Sequence, residues 1–187
     1  NLPFGGGFTV CSMLPIVLAA YRNGTKWGLL TGFVYAVVQM LLGFKTVSAF
    51  FMPGSDSYMV LWKAVCVCLI DYIIAYTVLG LGGIFRNKIK NPSVSLCVGS
   101  IFALSLRYIA HIISGFIFFG TWADWFFSQD GFTLGAKILE KFSGQGLAFL
   151  YSVIYNGLYM IPEIIITAIV ALIIGRVPQI SGSKNTK

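Results

Sequence analysis

The chain has 187 residues, of which 57% are hydrophobic and only 10% charged, and its mean hydropathy is +0.85. Too little polar side chain remains to cover a soluble globule, so the chain reads as an all-α, polytopic helical membrane protein. Its apolar stretches are continuous and do not alternate with period two, which argues against a transmembrane β-barrel.

Five apolar runs are candidate spans, at 8–21, 28–44, 58–85, 94–119 and 147–177; the first is short for a full crossing. The formal net charge of +7 is a topology signal rather than a nucleic-acid surface. Arg22, Lys26, Arg86, Lys88, Lys90, Arg176, Lys184 and Lys187 fall on one side of these spans with no acid among them. The other side mixes Lys45, Lys137 and Lys141 with Asp56, Asp124, Asp130 and Glu140. The positive-inside rule places the all-basic side, including the C-terminal tail, in the cytoplasm. Residues before the first run then lie outside, which predicts a further helix N-terminal to residue 1. Nothing in the opening resembles a cleavable signal peptide.

In chain order, Gly5, Gly6 and Gly7 lack the preceding strand and following lysine of a phosphate-binding loop, and read as an outer turn. Pro15 is expected to kink or begin a short helix. The second run starts at the membrane boundary with Trp27 and repeats small residues at Gly28, Gly32 and Ala36, a face that admits a close helix neighbour. Gln39, deep in that run, is either interhelical glue or part of a cavity wall. The outer loop that follows holds Phe50 and Phe51 and is apolar enough to dip back toward the membrane. Lys63 is near enough to the outer end to snorkel. Asp71 and Tyr72 are not, because they sit in mid-span. A carboxylate there either pairs with Arg107 or faces a cationic ligand.

The fourth run carries Arg107 and His111, the single histidine, at i, i+4, with Gly115 four residues on. That spacing puts a cation, a titratable ring and a bare backbone patch on one helix stripe, and predicts one wall of a binding site. Between the last two runs, residues 120–145 hold Trp122, Trp125, Phe126 and Phe127, as either a lid or a membrane-surface segment. The last run adds Tyr151, Tyr155, Asn156, Tyr159, Pro162 and Glu163. Asn156 and His111 both come out about 13 Å below the outer surface at 1.5 Å per residue. Glu163, deeper, is a second candidate partner for Arg107. The four cysteines, Cys11, Cys66, Cys68 and Cys97, show no disulfide or metal-ligand spacing and read as small buried hydrophobes. With one histidine and no cysteine set beside it, no metal site is expected.

The stretches PFGGGFT and SMLPI, KWGLLTGFVYAVVQMLLG, the Asp71–Tyr72 pair, RYIAHIISGFIFF and YNGLYMIPE together resemble one family. It is the thiamine-specific substrate-binding subunit, or S-component, of prokaryotic energy-coupling factor vitamin transporters. The resemblance spans essentially the whole chain and implies a single integral membrane substrate-binding domain over 1–187, in the cell membrane. It implies a bundle of six helices, five of them visible in this sequence; the family's first helix, with its small-residue docking face, has no counterpart here. It also implies no catalysis and no cofactor. The partners would be thiamine and an energising module of one membrane scaffold protein and two ATPases.

By resemblance, Asp71 stands where some members carry glutamate and would face the thiazolium or the aminopyrimidine, with Tyr72 beside it. His111 and Asn156 would hydrogen-bond the pyrimidine and Tyr151 would assist. Gly115 would give the ring room. Phe119 would stack where other members have tryptophan, with Trp122 as the substitute stacking group, and Arg107 matches a basic position. The residues alone fit such a ligand: thiamine is a permanent cation with two flat rings, suited to a carboxylate, aromatic faces and directional polar groups. The alternative is a self-sufficient, ion-coupled secondary transporter of a small cationic metabolite, with Asp71, Arg107 and Glu163 in a proton relay; no inverted repeat supports it. An intramembrane enzyme ranks third, since no catalytic spacing is present.

Overall fold

The computed structural model describes residues 9–178. The three opening glycines and the tail cations Lys184 and Lys187 lie outside them. The architecture is all-helical. Its elements in order are α1 (Leu14–Asn23), α2 (Thr25–Leu42), α3 (Phe44–Ala49), α4 (Leu61–Phe85), α5 (Pro92–Phe118), α6 (Ala123–Phe127), α7 (Gly135–Lys141) and α8 (Gly144–Ile174). Among the described residues, α2, α4, α5 and α8 are long and apolar enough to cross a membrane.

The first of the five expected spans is therefore not a crossing. At 10 residues α1 is about 15 Å long, half of a hydrocarbon core of about 30 Å. Pro15 lies in its first turn, where the missing N–H is harmless, so this proline starts a helix and does not bend one. Before it, Cys11 takes a left-handed φ of 59° that turns the chain back on itself. That turn lets the Thr9 N–H donate to Glu163 on α8 at 2.9 Å, tying the chain's opening to its last helix. Although short, α1 is central: Leu14, Ile16, Val17 and Tyr21 are buried in the main core with Leu79, Leu96, Leu104 and Met160.

Close packing holds the spans together, because lipid tails are as apolar as the core and burial alone gives little preference for one helix over another. The buried residues of α2 are Gly28, Gly32 and Ala36, the small-residue face expected from the spacing. A Cβ on Gly28 or Gly80 would run into the backbone opposite it, so α2 and α4 touch main chain to main chain. Gly82 and Gly99 make the same approach between α4 and α5. The widest interface joins α5 to α8. There the Tyr108 hydroxyl donates to the Val153 carbonyl at 2.7 Å, and the Ser152 hydroxyl to the Ile112 carbonyl at 2.7 Å. Asn91 caps α5 by accepting from the Ser93 and Val94 N–H groups at 3.0 and 3.3 Å, with Pro92 next in line.

Two features position the site. Cys68–Ile74, in the middle of α4, is a π-helical turn, and Val78–Phe85 tightens into a 3-10 helix. The wider turn changes the helix phase and presents Val67, Asp71, Tyr72 and Tyr76 to a single cavity. At the far end from the Arg22 and Arg86 loops lie the short helices α3, α6 and α7, of which α6 and α7 pack together as a cap over α8. Phe126 and Phe127 of α6 are fully buried there, packed with Tyr151 on α8.

Candidate functional site

A cavity of about 310 Å³ lies between α4, α5 and α8, beneath Phe50 and Phe119. Its size falls at the lower end of small-molecule sites, which run from about 300 to 1,000 Å³. Of the residues expected from the sequence, Asp71, Tyr72, His111, Gly115, Phe119, Tyr151 and Asn156 all line it. Two do not. Arg107 lies one helical turn below His111 and lines a separate chamber of about 170 Å³ with Gln39, Tyr76 and Glu163. Trp122 is 39% exposed and lines a wider outer groove with Trp125, their rings edge to face at 5.7 Å. The groove shares Phe119, Tyr151 and Tyr155 with the cavity, which makes it the cavity's vestibule.

The polar groups form one connected network. Asp71 Oδ1 is 2.9 Å from His111 Nδ1, and Asp71 Oδ2 accepts from the Ser114 hydroxyl at 2.6 Å. Arg107 Nε donates to His111 Nε2 at 3.3 Å. Its guanidinium lies over the Tyr76 ring, 4.6 Å from the centroid, with Nη2 3.5 Å from the phenol oxygen. Among the described residues no ion pair joins Arg107 to Asp71 or to Glu163. The ion-pair alternatives for Arg107 are thereby corrected. His111 occupies the space between Arg107 and Asp71, while Glu163 accepts from Thr9 instead.

Asn156 is held just as tightly. Its Nδ2 donates to the Ser152 carbonyl at 2.8 Å and to the His111 carbonyl at 3.2 Å, and Tyr159 donates its hydroxyl to Oδ1. The last bond leaves one Oδ1 lone pair for anything in the cavity. Gly115 is required for this packing. A Cβ there would overlap the Ser152 hydroxyl and sit 3.1 Å from Asn156 Nδ2. The helix stripe of Arg107, His111 and Gly115 thus divides its work: Gly115 brings α8 close, His111 faces the cavity and Arg107 backs it.

The remaining lining is aromatic apart from Val67. Phe50, Val67, Tyr76, Tyr155 and Tyr159 complete the wall and were not among the expected site residues. Tyr155 and Tyr159 follow Tyr151 at i, i+4 and i+8, a spacing that could have placed all three on one face. Phe50 gave no comparable signal, since it arrives from the outer loop and packs edge to face against Phe119 at 6.4 Å. The 120–145 segment lies against this wall, with Phe126 5.4 Å from the Tyr151 ring and 5.8 Å from the Tyr155 ring. Chemically, the site offers one carboxylate, several phenols and flat faces inside an apolar bundle. Such a lining favours a flat cation over an anion or a flexible polar chain.

Two comparisons bear on what this arrangement belongs to. The model of the thiamine transporter protein family matches residues 1–125. The thiamine transporter ThiT of Bacillus subtilis (strain 168) is 31% identical over 179 residues, covering 91% of this chain and 75% of that protein. The chain belongs to the thiamine transporter protein family.

Proposed function

We propose that this protein is the membrane subunit that captures thiamine at the outer face of a prokaryotic cell for uptake driven by a separate energising module of the energy-coupling factor type. The observation that carries the reading is Asp71. It is a carboxylate in mid-span, lining an aromatic cavity, with His111 and Ser114 as its hydrogen-bond partners among the described residues. A partly buried carboxylate at membrane depth, left without a direct cation, invites one, and the thiazolium of thiamine is a permanent cation of the right shape. Hydrogen-bond inventory supports the pyrimidine half. The free lone pairs of Asp71 and Asn156 Oδ1 can accept from its amino group. The Tyr72, Tyr151 and Tyr155 hydroxyls can donate to its ring nitrogens.

The expected site residues then take these roles. Asp71 faces the cation, with Tyr72 beside it. Gly115 and Asn156 shape the pyrimidine end, and Tyr151 closes it. Phe119 stacks at the mouth, Trp122 guards the vestibule, and His111 with Arg107 behind it forms the wall. The basic loops after α1 and α4 and the C-terminal tail face the cytoplasm. On this reading the chain has no catalytic step of its own, and the ATPases and membrane scaffold of the module are its partners.

The test is a tryptophan-fluorescence and calorimetric titration of the purified protein with thiamine, with riboflavin and biotin alongside. Saturable quenching by thiamine alone, at a stoichiometry of one, is the expected result. A flat calorimetric trace with thiamine would remove the reading. Uptake in vesicles that depends on co-expressed ATPases, and not on an ion gradient, separates the module-driven subunit from a self-sufficient carrier.

A further inference from the structure

Both ring nitrogens of His111 are committed. Nδ1 is 2.9 Å from Asp71 Oδ1, and Nε2 is 3.3 Å from Arg107 Nε. A guanidinium Nε carries a hydrogen and has no lone pair to offer, so it can only donate. Nε2 must therefore be bare, and the single imidazole proton must sit on Nδ1, where it is donated to Asp71. An imidazolium would set an N–H of the ring against the N–H of Arg107. The bonds then run in one direction: Arg107 donates to His111, and His111 donates to Asp71. Ser114 donates to the other carboxylate oxygen at 2.6 Å. The charged groups acting on the ring are Asp71 from α4 and Arg107 from its own helix. From α8 the ring meets neutral groups, the Tyr159 phenol 6.0 Å away and the Asn156 amide on the His111 carbonyl.

We propose that Arg107 and Ser114 are positioning residues of the ligand site. Arg107 locks His111 in its Nδ1–H tautomer, and Ser114 fixes the second carboxylate oxygen, so that both Asp71 oxygens are held in place as acceptors facing the ligand. His111 then offers the ligand its ring rather than an N–H, which revises the expectation that it hydrogen-bonds the pyrimidine. This inference rests on the thiamine-capture reading for its ligand and deepens it. It explains why a basic residue sits beside a cation site without touching the carboxylate. Arg107 acts through the ring and keeps a second positive charge off it.

The sequence holds one histidine, so protein labelled with ¹⁵N only at histidine gives one imidazole to read. In ligand-free wild-type protein the spectrum should show a pyrrole-like Nδ1 and a pyridine-like Nε2. Arg107→Met, which removes the donor, should shift the ring to the Nε2–H tautomer, a mixture or the imidazolium, and weaken thiamine binding roughly tenfold. Arg107→Lys keeps a donor and should restore the wild-type spectrum. Ser114→Ala should weaken thiamine binding roughly three- to tenfold while leaving the tautomer unchanged. It also keeps the inference testable if Arg107→Met does not fold. An Nε2–H or doubly protonated ring in the wild type would overturn the lock, whatever thiamine does. So would an Arg107→Met spectrum identical to wild type, and wild-type affinity in Ser114→Ala would overturn the role of that serine. Absence of thiamine binding to wild-type protein would instead sink the capture reading and the ligand half of this inference. The tautomer is decided by the ligand-free spectrum alone.

Discussion

The strongest test of the cation site is Asp71→Asn, read against a neutral isostere of the ligand. Two unit charges about 4 Å apart interact by about 4 kcal/mol at an effective dielectric of about 20. Asp71 also accepts from His111 and Ser114, which draws part of its charge away from the ligand. The expected loss is therefore about 2–4 kcal/mol, or roughly 30- to 1,000-fold in Kd. Asparagine keeps the shape: its Oδ1 can still accept from His111, and the Ser114 hydroxyl can turn to accept from its amide. The second arm uses a thiamine analogue whose thiazolium is replaced by an uncharged thiophene ring. Wild-type protein should prefer thiamine to this analogue by about the factor lost in Asp71→Asn, and the variant should barely distinguish the two. The four values form a cycle, measured by calorimetry, whose coupling energy isolates the charge–charge contribution from any change of packing. If both ligands lose affinity equally in Asp71→Asn, the carboxylate is a structural hydrogen-bond acceptor and the electrostatic argument fails.

Further expectations follow from the close approaches. Gly115→Ala would press on Ser152 and Asn156 and should weaken thiamine binding by about 1–3 kcal/mol, roughly 5- to 150-fold, and because Gly115 lies in the α5–α8 interface the melting temperature in detergent should fall as well. Gly80→Ala should lower stability alone, because its Cβ meets the backbone of α2 and Gly80 does not line the cavity. About 1–3 kcal/mol of overpacking should appear as a lower Tm, and the protein that remains folded should bind normally. Phe126→Ala removes a fully buried ring from between the cap and Tyr151, a change that typically costs about 3–5 kcal/mol in a core. It is expected to speed thiamine dissociation in stopped-flow experiments; an unchanged off-rate would mean that the cap does not restrain the ligand. Glu163→Gln leaves the cavity wall intact and should change thiamine affinity by less than about threefold. A large loss would bring the Arg107 chamber into ligand binding.

The polar half of the candidate site was legible in the sequence for an energetic reason. At membrane depth each ionisable or amide side chain costs free energy unless it is partnered, so Asp71, His111 and Asn156 stood out against their neighbours and the structure brings them to one cavity. Helical spacing did the same for Gly115, and for the small-residue face of α2. The aromatic half was hidden by abundance. With 16% aromatic residues, a tyrosine or phenylalanine reads equally well as an interfacial belt, a core ring or a cavity wall; Phe50 and Tyr76 carried no mark to separate these, and the helical spacing that groups Tyr155 and Tyr159 with Tyr151 does not say which of the three their face is. The pitch of α4 was hidden too. The 58–85 run has the hydropathy of an ordinary helix, yet a π-turn at Cys68–Ile74 decides which residues share a face with Asp71. Partner choice was the least legible feature. Arg107 had two carboxylates in reach by depth and pairs directly with neither, because a ring on its own helix intervenes. One-dimensional depth ranks which groups can meet. Which of them do meet depends on side-chain direction around each axis, and that is set by the same π-turn and glycine contacts that bring the helices together.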